Sequence, residues 1–267
     1  MSSAPPAEVL EAFGAEGTPT LLDGGMHRTW LAGDVVLKPV SDPVEHAWVC
    51  DVYDTWPSHE VRVPRPLRAG SGWAFAGWGA HVSVPGTTAR LGDDPMWFRD
   101  ACVAFHEVAA GVARPGFLEQ RDDPWSYGER VAWDGLAPLG AAATLERLHL
   151  AQSWLTPVDL PSQAVHGDLG GNLLRDGDRP GVIDWPAYWR PATWALAIVA
   201  ADAVCWEEAD LRVIDLLACG PAWPQLVLRA AIYRLATRGH QEVHGLATPD
   251  DDGYLRPDVW DWVEDRL

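Results

Sequence analysis

The sequence predicts an α+β protein: a small antiparallel sheet with one helix, followed by a larger and mainly helical part. Two early runs, 18–22 and 29–40, are rich in Val, Leu, Thr and Trp, and Gly33-Asp34 supplies a turn between strands. Beyond residue 84 apolar residues recur at helical spacing over longer segments. We therefore expect one domain over residues 1–84 and a second over 85–267.

One helix is predicted within the first domain. Asp42 is a residue type that caps helix N-termini, Pro43 suits the first helical position, and Glu45 lies three residues after the cap. The helix should end near Asp54. Strand character returns between residues 62 and 79, which completes a small sheet with one helix.

Composition and charge exclude several classes of protein. The 267 residues are 48% hydrophobic and 22% charged, which is typical of a folded globular chain and unlike a disordered or collagenous one. The net charge of -18 gives a surface that repels nucleic-acid phosphates and anionic lipids. No apolar run approaches the roughly 20 residues of a membrane span, and the first residues lack the pattern of a signal peptide. We therefore expect a cytoplasmic protein that binds neither nucleic acid nor a membrane.

Lysine occurs once in the whole chain. Lys38 lies in a strand-like run, 34–40. Lysine and arginine together number 20, and the other 19 are arginine. Codon bias together with chance is one explanation of a single lysine. The other is that a chemical role has retained it.

The strongest chemical signal is a loop followed by a short β-like run. The loop carries Asp168 and Asn172 beside glycines, and the run 181–183 leads into Asp184. Taken singly, Asp and Asn beside glycines are common turn formers, but the compound pattern is far rarer. Mg²⁺ prefers a few protein oxygens together with substrate phosphates, so Asn172 and Asp184 are suitable ligands while Asp168 can accept a proton. Together these side chains indicate phosphoryl transfer.

The motif resembles the catalytic loop of the aminoglycoside phosphotransferase and choline kinase family, which has a protein-kinase-like fold. The family loop reads H-G-D-L-x-x-x-N and its metal aspartate lies in an I-D-F/W segment; this chain has His166-Gly167-Asp168-Leu169 and Ile183-Asp184-Trp185. The resemblance implies a two-lobed fold, ATP as the donor and Asp168 as the catalytic base. It also implies Mg²⁺ on Asn172 and Asp184, with the loop histidine as a structural brace.

The same resemblance implies two further features in the first domain. One is a lysine on the third strand that contacts the nucleotide phosphates, and Lys38 is the candidate. The other is a phosphate-covering loop before that strand, for which Gly24-Gly25 is the candidate. Glu45 is the expected helix partner of the lysine, and its carboxylate could instead close the cap of its own helix. Main-chain groups around Val82 are expected to bind the adenine.

Two features depart from the family pattern and suggest a divergent, actinobacterial-type branch. Asn172 follows Asp168 by four residues where the family usually has five. We expect Gly170-Gly171 to absorb the shorter loop, because glycine readily adopts positive φ. An aspartate usual soon after the metal aspartate is also missing, since the corresponding place reads Thr193-Trp194-Ala195.

These observations predict an ATP- and Mg²⁺-dependent kinase that phosphorylates a hydroxyl of a small molecule. The net charge of -14 over residues 91–267 suits a cationic acceptor such as an aminoglycoside or an amino alcohol, but it also serves plain solubility. Acidic residues beyond Asp184 are candidates for contacting such a cation: Asp202, Glu207, Glu208 and Asp210. Nearby tryptophans are either substrate contacts or core residues: Trp185, Trp189 and Trp206.

Two other interpretations stay open. The chain could be a nucleotide-binding protein with little or no turnover, because the shorter loop and the missing aspartate have removed catalysis. A metal hydrolase using His166 and Asp168 would need further ligands, and the other histidines of the second domain form no ligand-like cluster. The four cysteines lie far apart with no C-x-x-C pair, which favours buried free thiols over a zinc site.

Overall fold

The computed structural model describes residues 3–23, 27–57, 60–247, 253–256 and 258–267. The chain forms two compact units. The first comprises the chain up to Thr87 together with Leu174–Asp184, and the second comprises Thr88–Leu173 and Trp185–Leu267. A small antiparallel sheet in the first and a mainly helical second unit confirm the predicted α+β class. The predicted limits at residues 84 and 85 stay a prediction.

The first unit is built on an antiparallel sheet. Its elements along the chain are α1 (Ala7–Phe13), β1 (Thr20–Leu21), β2 (Trp30–Ala32), β3 (Val35–Pro39), α2 (Pro43–Asp54), β4 (Ala74–Phe75) and β5 (Trp78–Val82). The strands pair in the order β1-β2-β3-β5-β4. Gly33, with a φ of 61°, lies in the turn between β2 and β3, which confirms that hairpin.

Helix α2 begins and ends where the sequence predicts. The carboxylate of Asp42 accepts the backbone N–H of Val44 at 2.8 Å and of Glu45 at 3.2 Å, and Pro43 takes the first helical position. The last helical residue is Asp54. The cap therefore fixes the point at which the chain leaves β3 and enters the helix.

One face of the sheet is covered by α1, which the sequence did not predict. Val9 and Phe13 of this helix pack with Leu37 and Trp78 in an apolar cluster. Because side chains alternate across a strand, Lys38 lies on the face opposite to Leu37. The lysine is thus held on a strand whose other face is anchored in a core.

A later hairpin completes the first unit. Its strands are β8 (Leu173–Asp176) and β9 (Arg179–Val182), and β6 (Thr87–Thr88) joins them in the order β6-β8-β9. Arg62 ties the hairpin to the earlier chain: its N–H donates to Pro180 O at 3.0 Å, and Val182 N–H donates to Arg62 O at 2.8 Å. Its guanidinium also pairs with Asp176 at 2.8 Å. The hairpin leads directly to Asp184.

The second unit is mainly helical. Its helices are α3 (Pro95–Ala109), α4 (Pro124–Trp133), α5 (Ala142–Ser153), α6 (Ala192–Trp206), α7 (Arg212–Leu216), α8 (Trp223–Val243) and α9 (Asp258–Glu264), with a 3-10 turn at Gly116–Glu119. Strands β7 (Gln163–His166) and β10 (Ala187–Arg190) pair antiparallel, with His166 opposite Ala187. Helices α6 and α8 supply much of the buried core.

Helix α6 is apolar along almost its whole length. Every residue from Trp194 to Cys205 is buried, and Asp202 is the one charged residue of the helix. In the part of the chain that the structure describes, no helix combines the length and the hydropathy that crossing a bilayer requires. A buried carboxylate in such a helix needs a partner, and the partner lies on α8.

Close packing of α4 on α8 depends on a glycine. A Cβ placed on Gly128 would lie 2.3 Å from Thr237 Oγ1 and 2.4 Å from the carbonyl oxygen of Tyr233. Both neighbours belong to α8, and the second is backbone, which cannot rotate away. Gly128 therefore sets the distance between the two helices.

Replacing Gly128 with Ala is expected to lower the free energy of unfolding by about 1–3 kcal/mol, because an overpacked contact must be relieved by backbone movement. The helix propensity of alanine offsets up to about 1 kcal/mol of that loss. Urea unfolding measures the change. Gly92→Ala is the control, since no heavy atom lies within 4 Å of its added Cβ. Equal stability of the two variants would contradict the packing argument.

Candidate active site

The loop after β7 carries the candidate base and is tightly constrained. The N–H of Gly167 donates to Pro186 O at 3.2 Å, and the side chain of Leu169 is fully buried. A Cβ on Gly167 would lie 2.2 Å from the ring of Tyr188, so only glycine fits there. Gly171 has a φ of 78°, in the left-handed region that glycine adopts readily. That the two glycines absorb the shorter loop stays a prediction.

Two buried histidines support this loop from beneath. Nδ1 of His166 accepts the N–H of Asp168 at 3.2 Å, a contact expected of a loop brace. The N–H of His166 in turn donates to Nε2 of His106 at 3.1 Å, and Nδ1 of His106 lies 2.7 Å from Cys102 O. A carbonyl oxygen only accepts, so His106 carries its proton on Nδ1 and is neutral. Burial, more than any other cause, lowers the pKa of His106 to about 4.

The carboxylate of Asp168 has one close donor and one distant donor. Nη2 of Arg234 donates to its Oδ1 at 2.6 Å, and Nδ2 of Asn172 lies 3.4 Å from its Oδ2. Nδ2 of Asn172 also donates to the carbonyl oxygen of Asp168 at 2.6 Å. The Asp168 side chain remains 46% exposed, so its carboxylate can still reach a substrate hydroxyl.

Arg234 lies at the centre of a buried polar network. Its Nε donates to Asp202 Oδ1 at 3.0 Å and its Nη2 to Asp202 Oδ2 at 2.5 Å, while Tyr254 O–H donates to Asp202 Oδ1 at 2.6 Å. Burial opposes the charge of Arg234, but the Asp202 carboxylate, with lesser contributions from Tyr233 and Asp168, holds the pKa of Arg234 well above its ordinary value. Arg234 is therefore a permanent cation. Asp202 was a candidate for contacting a cationic acceptor, but the structure commits its carboxylate to Arg234 and Tyr254.

The first unit contains an ion pair between two of the predicted site residues. The ammonium of Lys38 forms an ion pair with Oδ1 of Asp184, 146 residues further along the chain. Asp184 has a φ of 51°, in the left-handed region that side chains other than glycine rarely adopt. Such strained positions often occur at functional sites, where the surrounding structure holds them. Both side chains of the pair are partly exposed, 34% for Lys38 and 51% for Asp184.

Two polar side chains of α2, the helix expected to carry the partner of Lys38, contact Trp73 instead. Nε2 of His46 lies 3.0 Å from Trp73 O, and Asp51 Oδ1 accepts the indole N–H of Trp73 at 2.7 Å. Glu45 is in the first turn of α2. A pairing of Glu45 with Lys38 stays a prediction, since the contact found for the lysine is the one with Asp184.

The expected nucleotide contacts are only partly described. The N–H of Val82 donates to Arg65 O at 2.9 Å, so this main-chain donor is already used within the protein. Contact of Val82 with the base stays a prediction. Gly24-Gly25, predicted as a phosphate-covering loop, lie outside the described residues.

The remaining candidate residues, which were expected to contact an acceptor, differ in how exposed their side chains are. Trp185 belongs to the core, because it is 4% exposed, donates its indole N–H to Val165 O at 2.9 Å and packs edge-on against Phe105. Trp206 is 42% exposed. Glu207 lies near it, and burial raises the pKa of this carboxyl. Asp210 pairs with Arg212 on the surface at 2.7 Å.

Sequence reasoning missed Arg234, although a signal was present. Asp202 is one charge in an apolar helix, and Arg234 follows the run Ala230-Ala231-Ile232-Tyr233 in another. Charged side chains are rarely buried unless they are paired. A single carboxylate in an apolar helix therefore predicts a buried cationic partner, without saying which residue supplies it.

The predicted Mg²⁺ ligands fit that ion by their chemistry. Asp184 offers a half-exposed carboxylate, and Asn172 can offer its amide oxygen because its nitrogen points to Asp168. Hard oxygen donors of this kind, few in number, are what Mg²⁺ takes from proteins when phosphates complete its shell. Within the ranges that the structure describes, no three His, Cys, Asp or Glu side chains are grouped to hold a metal ion.

Comparison with solved structures confirms the protein-kinase-like fold. A choline/ethanolamine kinase family protein from Mesorhizobium loti is similar with a TM-score of 0.62 and 18% identity, over 95% of this chain and 89% of that one. The gentamicin complex of APH(2")-IIa gives a TM-score of 0.59 and 11% identity, over 98% and 97% of the two chains. Spectinomycin phosphotransferase APH(9)-Ia, solved with ADP and spectinomycin, gives a TM-score of 0.57 and 12% identity, over 97% of each of the two chains.

The resemblance drawn from the motifs is thus confirmed at the level of the fold, which is two-lobed and kinase-like. No family model and no curated protein matches the sequence. An actinobacterial-type branch stays a prediction.

The buried neutral His106 predicts a loss of stability in acid. Its pKa is lowered to about 4 in the folded state, whereas an unfolded histidine has a pKa near 6.5. The unfolded chain therefore binds the proton first, and stability falls as the pH drops from about 6.5 to about 4, by up to about 3 kcal/mol. Denaturant unfolding across this range measures the slope.

His106→Gln isolates this contribution. The variant is expected to be less stable at pH 7, because it replaces two buried hydrogen bonds, and to show a shallower fall towards pH 4. Parallel slopes for the variant and the natural protein would contradict the assignment of a neutral His106.

Proposed function

We propose that this chain transfers the γ-phosphoryl group of ATP to a hydroxyl of a small molecule. The observation that carries the proposal is the ion pair of Lys38 and Asp184. The fold brings the only lysine of the chain onto the aspartate that the motif assigns to the metal. An exposed, exchangeable cation beside a carboxylate suits the binding of a triphosphate together with its counterion.

The roles follow from the exposure and chemistry of each group. Lys38 neutralises negative charge on the phosphates, and Asp184 with Asn172 would hold Mg²⁺, which supplies further charge neutralisation when bound. Asp168 accepts the proton of the acceptor hydroxyl while that oxygen forms its bond to the γ-phosphorus. The bond from phosphorus to the β–γ bridging oxygen breaks, and ADP leaves. A cytoplasmic location, predicted from the sequence, fits ATP as the donor.

A cationic acceptor is the favoured substrate class. The acidic excess lies in residues 91–267, and Glu207 beside the exposed Trp206 offers a carboxylate and an aromatic face near the network of Asp202. Amino alcohols and aminoglycosides have both an amine and a hydroxyl. The structural neighbours solved with spectinomycin and gentamicin point to the same class.

Asp168→Asn is expected to abolish acceptor-dependent ADP release, because the amide cannot take the hydroxyl proton. The loss from removing a general base is roughly 10²–10⁴-fold in kcat. ADP release from ATP with Mg²⁺ is measured over a panel of aminoglycosides, amino alcohols, sugars and nucleosides. Unchanged transfer in this variant would refute the kinase. ATP raising the melting temperature with no transfer to any acceptor would favour the alternative, a nucleotide-binding protein with little turnover.

Lys38→Met is expected to raise the KM for ATP and to lower kcat by roughly 10²-fold, because one positioned cation on the phosphates is lost. Arg62→Met is the matched control: it removes an ion pair of the same unit, with Asp176, that the proposal does not use. The control should retain its KM for ATP even if it is less stable. If both variants bind ATP equally well, Lys38 has no role in binding it.

A further inference from the structure

We propose that Arg234 is a positioning residue for Asp168, and that Asp202 holds the guanidinium of Arg234 in the place from which it reaches Asp168. The inference rests on the proposed function, in which Asp168 is the base. It assigns separate roles to two residues that no sequence motif marks.

The two carboxylate oxygens of Asp168 have different partners. Oδ1 receives Nη2 of Arg234 at 2.6 Å, whereas Oδ2 has Nδ2 of Asn172 at 3.4 Å, beyond a good hydrogen bond. The guanidinium is 6% exposed and lies on the long helix α8, so it is a fixed support. Oδ1 is thereby fixed, and Oδ2 is the oxygen available to a substrate proton.

Asp202 is the principal anchor of Arg234. The guanidinium makes two hydrogen bonds to Asp202 and one to Asp168. The Asp202 side chain is 9% exposed against 46% for Asp168, so solvent screens its attraction to Arg234 far less. Asp202 therefore fixes the guanidinium, and the guanidinium in turn fixes Asp168.

Tyr254 completes the arrangement from the C-terminal part of the chain. Its hydroxyl donates to Asp202 Oδ1 at 2.6 Å, and its ring packs edge-on against Trp206 with centroids 5.0 Å apart. The hydroxyl keeps Asp202 oriented towards Arg234. Charged and titratable groups around the pair are Asp168, Cys205, Glu207, Tyr233 and Tyr254.

Two variants of the full chain test the proposal. Asp202→Asn removes the anionic anchor of Arg234, so the guanidinium and with it the Asp168 carboxylate should be less well placed, and kcat should fall about 10-fold. The KM for ATP should not change. The double variant Arg234→Met with Asp202→Leu removes the pair while filling its volume, an exchange that proteins often tolerate without loss of stability. It should keep its melting temperature and lose roughly 10²-fold in kcat through misplacement of Asp168.

Arg229→Met is the matched control. Arg229 is an equally buried arginine of α8, but it donates to the carbonyl oxygens of Ala132 and Thr156 and touches neither carboxylate. Its loss should lower stability and leave both the kcat and the KM for ATP of the folded enzyme unchanged. A merely structural role of Arg234 would give the same result as this control.

The outcomes separate this inference from the proposed function. Unchanged kcat in both Asp202 variants would overturn the positioning role in an active enzyme. If the natural protein transfers no phosphoryl group to any acceptor, the proposed function fails, and a crystal structure of the double variant decides the positioning alone. A displaced Asp168 carboxylate supports the role, and a carboxylate in its original place overturns it.

Discussion

Arg234 brings a positive charge into the apolar interior of the second unit, where an unpaired charge would be strongly destabilising. The structure meets this constraint with Asp202 on a facing helix, and much of the surrounding architecture follows from the need to keep the two in register. Helix α8 lies close to α4 because Gly128 has no side chain. The apolar residues of α6 hold Asp202 in place from its own side. The same guanidinium then reaches the loop that carries Asp168.

Two ion pairs, one in each unit, differ in exposure. Arginine is always charged and its planar fork binds a carboxylate through two hydrogen bonds, so the Arg234 pair is permanent. Lysine is a compact, strongly hydrated charge on a flexible stem, and its pair with Asp184 is open to solvent. In a chain that otherwise uses arginine, the one lysine forms the more exposed of these two pairs.

Local signals accounted for much of what could be predicted from the sequence. The cap of α2 and the loop glycines act within a few residues, and a turn or a cap depends little on the rest of the fold. The motif also identified Asp168, Asn172 and Asp184 as the groups to examine. Contacts between residues far apart in the sequence were harder to predict. The pairing of Lys38 with Asp184 and of Arg234 with Asp202 depends on how helices and strands pack, which short-range patterns do not encode. Helix α1 was missed because seven residues give too few turns for a periodic signal.

The first unit is discontinuous in sequence, because Leu174–Asp184 lies within the second unit's part of the chain. During synthesis the ribosome makes residues 88–173 before the hairpin that ties to Arg62 becomes available. The strands of the sheet around Lys38 are all made by residue 82, but the aspartate partner of the lysine follows only at residue 184. Domains usually fold as units in the order of synthesis, and here the first unit cannot be completed before part of the second has been made. A nascent chain stalled before Asp184 should expose an incomplete first unit to chaperones.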